Sequence, residues 1–292
     1  MNNKIIYALG FFDGVHLGHR ALLDACCALA ENQKAAAGAV TFTEHPDALV
    51  LGKMPPLINT HEDRKYLLTQ LGAHKVLELP FDREMMSMPW RDFLDMLVQR
   101  YDAAGFVCGD DFRFGHKGQG NAEKLTDFCK ENGFVCRIVP QVVLDGTVVS
   151  STHIRGLLER GEVENAGRFL GHPHILSGEV ISGRHLGRTL GIPTANLLLP
   201  DDLVKLPHGV YACVAVAEGQ RYMAVTNVGN RPTVGGHRVT VEPWILNFDG
   251  DLYGKQLTLE FYKFLRPERK FDSLKELKAQ IQSDAAQTRE TL

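Results

Sequence analysis

Between Lys4 and Pro140 the chain alternates short apolar runs with segments of helical spacing, and that alternation leaves few folds open. KIIYALG (4–10), AGAVTF (37–42), KVLEL (75–79), GFVCG (105–109) and FVCRIVP (134–140) read as strands. Between the first two, HRALLDACCALAENQ carries Leu22, Cys26, Leu29 and Ala30 at helical spacing. THEDRKYLLTQLG opens with Thr60 and Asp63 placed as a capping-box variant and stops at Gly72. SMPWRDFLDMLVQRY has Pro89 near its start and sets Trp90, Phe93, Leu94, Leu97 and Tyr101 on one face. NAEKLTDFCKENG is a further helical segment. This β-α-β-α order predicts a parallel, doubly wound α/β sheet. In such sheets ligands bind beyond the carboxyl ends of the strands.

VVLDGTVV reads as a hairpin with an Asp-Gly turn, followed by two short helices, SSTHIRGLLERG and EVENAGRFLG. After Pro173 the texture becomes β-rich, with turns every 8–12 residues, as in a small barrel. A tail helix from Asp272 to Glu290 puts Leu274, Leu277, Ile281 and Ala285 on one side. The 292 residues therefore divide into an α/β domain, 1–170, and a barrel domain, 171–292. The net charge of −3 gives no global field for nucleic acid or an acidic membrane, so an anionic ligand must be held by local groups. The six cysteines form no CxxC and read as small buried hydrophobes. No leader or long apolar run opens the chain, which leads us to expect a cytoplasmic protein.

The stretch GFFDGVHLGHR, Gly10–Arg20, places His16 and His19 where the first strand turns into the first helix. Three readings compete. The pair could be two ligands of a metal, with His45 the nearby candidate for a third. It could be polar capping of the helix. Or it could handle phosphate: glycines permit a tight turn, a helix start exposes N–H groups, and residues three apart share a face of the first turn. The last reading accounts for most of the stretch.

Within that stretch, His16, Leu17, Gly18 and His19 resemble the nucleotidyltransferase signature, and GFFDGVHLGH resembles the opening of the bacterial bifunctional riboflavin kinase/FAD synthetase family. GDDFRFGHKGQGN (109–121) and SSTHIR (150–155) resemble that family's second and third adenylyltransferase motifs. SGRHLGRTLGIPTANLLLP (182–200), VTVEPWILNFDGDLYG (239–254) and TNVGNRPTVGG (226–236) resemble its flavokinase half. The resemblance implies two ATP-using sites. In the first, His16 and His19 would be catalytic, with Gly10, Phe12, Asp13, Gly14, Gly18, Asp111, Ser150, Ser151, Thr152 and Arg155 around the nucleotide. In the second, Glu242 would be the catalytic carboxylate and Gly183, Arg188 and Gly191 phosphate neighbours. Thr194 and Asn196 would hold the Mg²⁺ of the nucleotide.

Riboflavin, FMN and ATP are the small-molecule partners this implies, with no nucleic acid and no membrane. Glu242 is followed by Pro243, which lacks a ladder donor and predicts an edge or bulge there. NFDGDLYG superficially resembles a calcium loop but fails its pattern, and reads as a hairpin turn. Two positions depart from the family: Phe11 stands where Asn is usual, and His153 where Arg is more common. They motivate a second reading, a riboflavin kinase whose FAD synthetase activity is weakened or lost.

Overall fold

The computed structural model describes residues 4–181, 192–233 and 236–292. Two compact units emerge. One holds the residues up to Pro55 together with Arg64–Ser150, and the other holds Pro56–Asp63 and Ser151–Leu292.

In the first unit, β1 (Ile5–Leu9), β2 (Ala36–Phe42), β3 (Lys75–Leu79), β4 (Ala103–Gly109) and β5 (Val135–Val139) form a parallel sheet of order β3-β2-β1-β4-β5. The direction of winding reverses at β1, so the crevice between the ends of β1 and β4 is the switch point where such sheets take ligands. Every residue of β1 is buried, because both faces are covered. Tyr7 and Leu9 point into one core with Phe93, Leu94 and Leu97 of α5 (Trp90–Tyr101) and Leu125 and Phe128 of α6 (Ala122–Asn132). Ile6 and Ala8 point the other way, toward Leu23, Cys26 and Ala30 of α1 (Leu17–Asn32) and Leu68 of α3 (His61–Gln70). The Thr60 hydroxyl accepts from the Asp63 N–H at 3.1 Å, which is the cap the sequence predicts for α3. Two short helices, α2 (Pro46–Val50) and α4 (Arg83–Ser87), carry no strong periodic signal and are found only in the structure.

A hairpin of β6 (Val143–Leu144) and β7 (Thr147–Val148) ends the strands of the first unit, and the second unit opens with α7 (Ser151–Glu159) and α8 (Val163–Leu170). It closes into an antiparallel barrel of β8 (His174–Ile181), β9 (Asn196–Leu198), β10 (Gly209–Ala217), β11 (Gln220–Thr233), β12 (Gly236–Ile245) and β13 (Gln256–Pro267). The segment Pro56–Asp63 belongs to this packing. Leu57 bridges to Leu203, the Asn59 amide donates to the Ile175 carbonyl at 3.2 Å, and the Ser177 N–H donates to the Asp63 carboxylate at 3.3 Å.

Two expectations need correction. Pro243 lies inside a closed barrel, not at an edge; its lost donor is tolerated where β12 and β9 share one register pair, Val241 with Leu197. The tail helix, α9 (Leu274–Thr291), does not bury Leu274, which is 68% exposed. Its fully buried residues are Asp284, Ala285 and Thr288. The buried stripe includes an acid because Asp284 takes a bidentate bond from Arg266 of β13, with Nε–Oδ1 2.9 Å and Nη2–Oδ2 2.8 Å. Leaving either charge without the other in a buried pair costs about 3–5 kcal/mol.

His174, at the start of β8, is wholly buried against Phe261, and neither ring nitrogen has a hydrogen-bond partner among the described residues. Burial, reinforced by His172, holds its pKa down at about 3. The unfolded state then binds a proton that the folded state refuses below pH ~6.5, so stability is full above that pH and falls as the pH drops toward 3. At pH 5 the expected loss is about 2 kcal/mol. Urea unfolding of wild type and His174→Phe across pH 5–7 tests this. Wild type should lose about 2 kcal/mol of stability relative to the variant between pH 7 and pH 5, and parallel curves would refute the assignment.

Candidate functional site

The turn from β1 into α1 is tight and strained. Phe12 (φ 62°), Gly14 (φ 81°) and Val15 (φ 44°) all adopt left-handed backbone, and the Val15 N–H closes the turn on the Phe12 carbonyl at 3.0 Å. For Phe12 and the β-branched Val15 this costs about 1–3 kcal/mol each, a strain that clusters at functional sites. The turn is held from below by the Thr41 hydroxyl, which donates to the Phe11 carbonyl at 2.8 Å. Phe12, Asp13, Gly14 and Val15 are buried, while Gly10 is partly exposed at the strand end.

His16 is the N-cap of α1. Its Nδ1 accepts the His19 N–H at 3.3 Å, and its ring stacks on that of His19 with centroids 3.6 Å apart and planes 13° from parallel. The capping reading describes His16, whose Nδ1 is committed to the helix. The metal reading fares worse. His45 caps α2 by accepting the Asp47 N–H, and among the described residues no group of three or more His, Cys, Asp or Glu could hold a metal ion. His19 packs edge-on against Phe12, and its Nδ1 has no hydrogen bond among the described residues. Burial, then His16 and Arg64, lower its pKa well below the usual imidazole value, so the ring is neutral.

Gly18 makes the stacking possible. A Cβ there would stand 3.1 Å from the His16 ring and 3.9 Å from the Val149 carbonyl. The chain leading to Ser150 thus passes beside the first turn of α1. Ser150 closes the first unit; Ser151, Thr152 and Arg155 lie on α7, grouped by packing with the second. Asp111 follows the end of β4, exposed, and accepts from the Gln141 amide at 3.0 Å.

The sequence names no ring pocket for this unit, but the structure contains one. Phe42, Phe81, Met85, Phe93, Phe112 and Phe114 line an apolar slot of about 220 Å³ beside the loop after β4, with Arg113 and Lys117 at its wall. Phe112 and Phe114 stack at 5.6 Å. Gly115 (φ 71°) closes the loop onto α5, where a Cβ would lie 2.4 Å from the Trp90 Cα. The signal was available in GDDFRFG, where two aromatics two residues apart flank an arginine.

In the barrel, strand parity places the candidate carboxylate. β11 and β12 pair Val225 with Trp244 and Asn227 with Glu242, and all four face a cavity of about 580 Å³. Its far wall is Phe271, Leu277 and Ile281. Pro243, pointing the opposite way, lines a second cavity of about 500 Å³ with Phe248, Asp249 and Tyr253. Thr194 borders both. Asn196 is buried at the start of β9, opposite Ile181. The NFDGDLYG segment is the wall of the second cavity as well as a connection between strands. Gly183, Arg188 and Gly191 lie outside the described residues.

A family model described as FAD synthetase matches residues 1–153, and one described as riboflavin kinase matches residues 170–292. The bifunctional riboflavin kinase/FMN adenylyltransferase of Bacillus subtilis is 34% identical over 286 residues, covering 96% of this chain and 90% of that protein. The protein of the same description from Pseudomonas fluorescens is 35% identical over 286 residues, covering 97% and 92%. A crystal structure described as a macrolide-efflux protein from Streptococcus pneumoniae has a TM-score of 0.87 and 30% identity, covering 99% of this chain and 95% of that one. Among the described residues no helix is long and apolar enough to cross a membrane.

The geometry at Gly18 gives a test. Alanine there gains about 1 kcal/mol of helix propensity, and pushing the His16 ring away forfeits a cap of similar size, about 0.5–2 kcal/mol. Gly18→Ala should therefore unfold near the wild-type midpoint while its imidazole NMR resonances lose the mutual ring-current shifts of the stack. Unmoved imidazole resonances would contradict this.

Proposed function

We infer the chemistry of the two units from one premise: the chain belongs to the bifunctional riboflavin kinase/FMN adenylyltransferase family. It transfers the γ-phosphoryl group of ATP to riboflavin, giving FMN, and then the adenylyl group of a second ATP to FMN, giving FAD and pyrophosphate. We assign the adenylyl transfer to residues 1–170 and the kinase step to residues 171–292. A cytoplasmic location suits an enzyme that consumes ATP.

One observation carries the kinase assignment: Glu242 and Pro243 face two cavities that meet at Thr194. Riboflavin belongs in the larger cavity, whose apolar wall and Trp244 suit a flat ring system. ATP belongs in the cavity beside Pro243. The reacting alcohol then lies near Glu242 and the γ-phosphate near Thr194. A primary alcohol is almost un-ionised at neutral pH, so Glu242 accepts its proton as the oxygen–phosphorus bond forms and ADP leaves. Thr194 and Asn196 would hold the Mg²⁺ of the nucleotide. Neutral oxygens suit an ion whose anionic ligands are phosphates, and the ion offsets charge on them when bound. The side-chain oxygen of Thr194 at the wall shared by both cavities supports that fit.

The first site needs no dedicated base. FMN carries a phosphate monoester with a second pKa of about 6, so its oxygen is already a nucleophile at pH 7. Attack on the α-phosphorus of ATP demands alignment and charge stabilisation. The N-terminal end of α1, with His16 and His19 stacked there, meets the triphosphate at the switch point of the sheet. The family resemblance assigns Ser150, Ser151, Thr152 and Arg155 to the nucleotide of this step as hydroxyl and guanidinium donors. Asp111 and the turn residues from Gly10 to Gly14 border it. The aromatic slot is the seat of the flavin ring. At about 220 Å³ it is smaller than the ~300–1,000 Å³ typical of whole-ligand pockets and suits the ring alone.

The two departures from the family pattern have packing roles. Phe11 meets the edge of His45 at 4.5 Å, and His153 meets Phe169 at 4.6 Å. Because both family models match, the bifunctional reading is retained over the kinase-only one.

Glu242→Gln should lower FMN formation by about 10²–10⁴-fold, the usual contribution of a general base, while FAD is still made from added FMN. His19→Ala should do the reverse. Chromatography of products from riboflavin, FMN, ATP and Mg²⁺ separates the steps, and equal loss of both from either change would refute the division.

A further inference from the structure

Arg64 is the largest side chain wholly withdrawn from solvent among the described residues, at 1% exposure. It sits in the first turn of α3, where an apolar residue would fill the same space without the cost of burying a guanidinium. Its contacts join three separate parts of the adenylyl-transfer site. Nη2 donates to the Phe42 carbonyl at 2.6 Å, at the end of β2, and the Phe42 side chain is a wall of the aromatic slot. The guanidinium carbon stands 4.2 Å from the centroid of Phe11, in the strained turn that leads to His16. Phe11 is held on another side by the edge of His45, and its carbonyl by the Thr41 hydroxyl. Arg64 is also close enough to His19 to act on it electrostatically, together with His16.

We propose that Arg64 is a positioning residue for adenylyl transfer, clamping the turn that carries the histidines against the β2 end that walls the flavin slot. The inference rests on the two-site reading above. The planar fork matters because one face stacks on Phe11 while an edge donates to a carbonyl, an arrangement that an ammonium cannot reproduce. The cation also stays charged at every working pH, so it disfavours protonation of His19 without itself titrating. The position at which FMN meets the α-phosphorus is then set from the core of the sheet, and small displacements there are expensive in rate.

The test uses the full chain carrying Arg64→Met or Arg64→Lys, with riboflavin phosphorylation as an internal control. Arg64→Met should lower kcat for FAD formation from FMN by about 10-fold or more. It should leave FMN formation within about twofold of wild type. Loss of the cation should also move the acid limb of the FAD pH profile upward, because His19 protonates more readily. Arg64→Lys should restore the position of that limb but not the full kcat. Wild-type FAD formation with an unmoved profile in Arg64→Met would overturn the proposal, as would identical kinetics and profiles in the two variants. Should Arg64→Met fail to fold and lose both activities, Arg64→Lys decides alone: undiminished kcat overturns the clamp. A wild-type chain that makes no FAD would instead sink the two-site reading on which the inference stands.

Discussion

A parallel strand buried on both faces can present chemistry only at its ends, and β1 is buried at all five positions. That constraint organises the first unit. With Tyr7 and Leu9 committed to one core and Ile6 and Ala8 to the other, the functional residues must come from the turn after Leu9. The turn has to reverse within a few residues to start α1, and it does so through left-handed backbone at Phe12, Gly14 and Val15. Its strain is sustained by the anchors around it: Thr41 on the Phe11 carbonyl, Arg64 on the Phe11 ring, and the His16 cap on α1.

The barrel solves a different problem with the same economy. An extended strand shows alternate residues to opposite sides, so a single step from Glu242 to Pro243 passes from one cavity to the next. Two ligands approaching from either side of β12 would meet beside Thr194 without needing a mobile carrier. The larger cavity takes Leu277 and Ile281 of its wall from α9, docked by the buried Arg266–Asp284 pair, with Gln280 adding a third donor to the carboxylate at 2.8 Å. The two steps then differ in kind. An alcohol needs a base, the role we propose for Glu242, whereas a phosphate needs only placement and a positive field.

Much of this was legible in the residues. The alternation of apolar runs and helical spacing gave the sheet and its winding, and the i, i+3 spacing of His16 and His19 gave their shared face. What local spacing could not show was long-range convergence. The aromatic slot draws Phe42, Phe81, Phe93 and Phe114 from four separate elements, each of which reads alone as ordinary core. Arg64 looked like one more charge in a polar helix, because nothing in HEDRKYLL says which charged residue turns inward. Asn59 and Asp63 gave no sign that their segment would bond to the barrel strand β8. In α9 the apolar pattern pointed to Leu274, yet burial follows the paired Asp284, since a matched buried charge can replace a hydrophobe where its partner is fixed.

The central claim is that one chain opens ATP at two different phosphorus atoms. Isotope tracing reads this directly. Riboflavin and the purified chain are incubated with Mg²⁺ and ATP labelled at either the γ- or the α-phosphorus, and the flavins are separated. The account predicts γ-label in FMN and carried on into FAD, and α-label in FAD but never in FMN. Label from the α-phosphorus in FMN, or FAD that carries none of it, would contradict it.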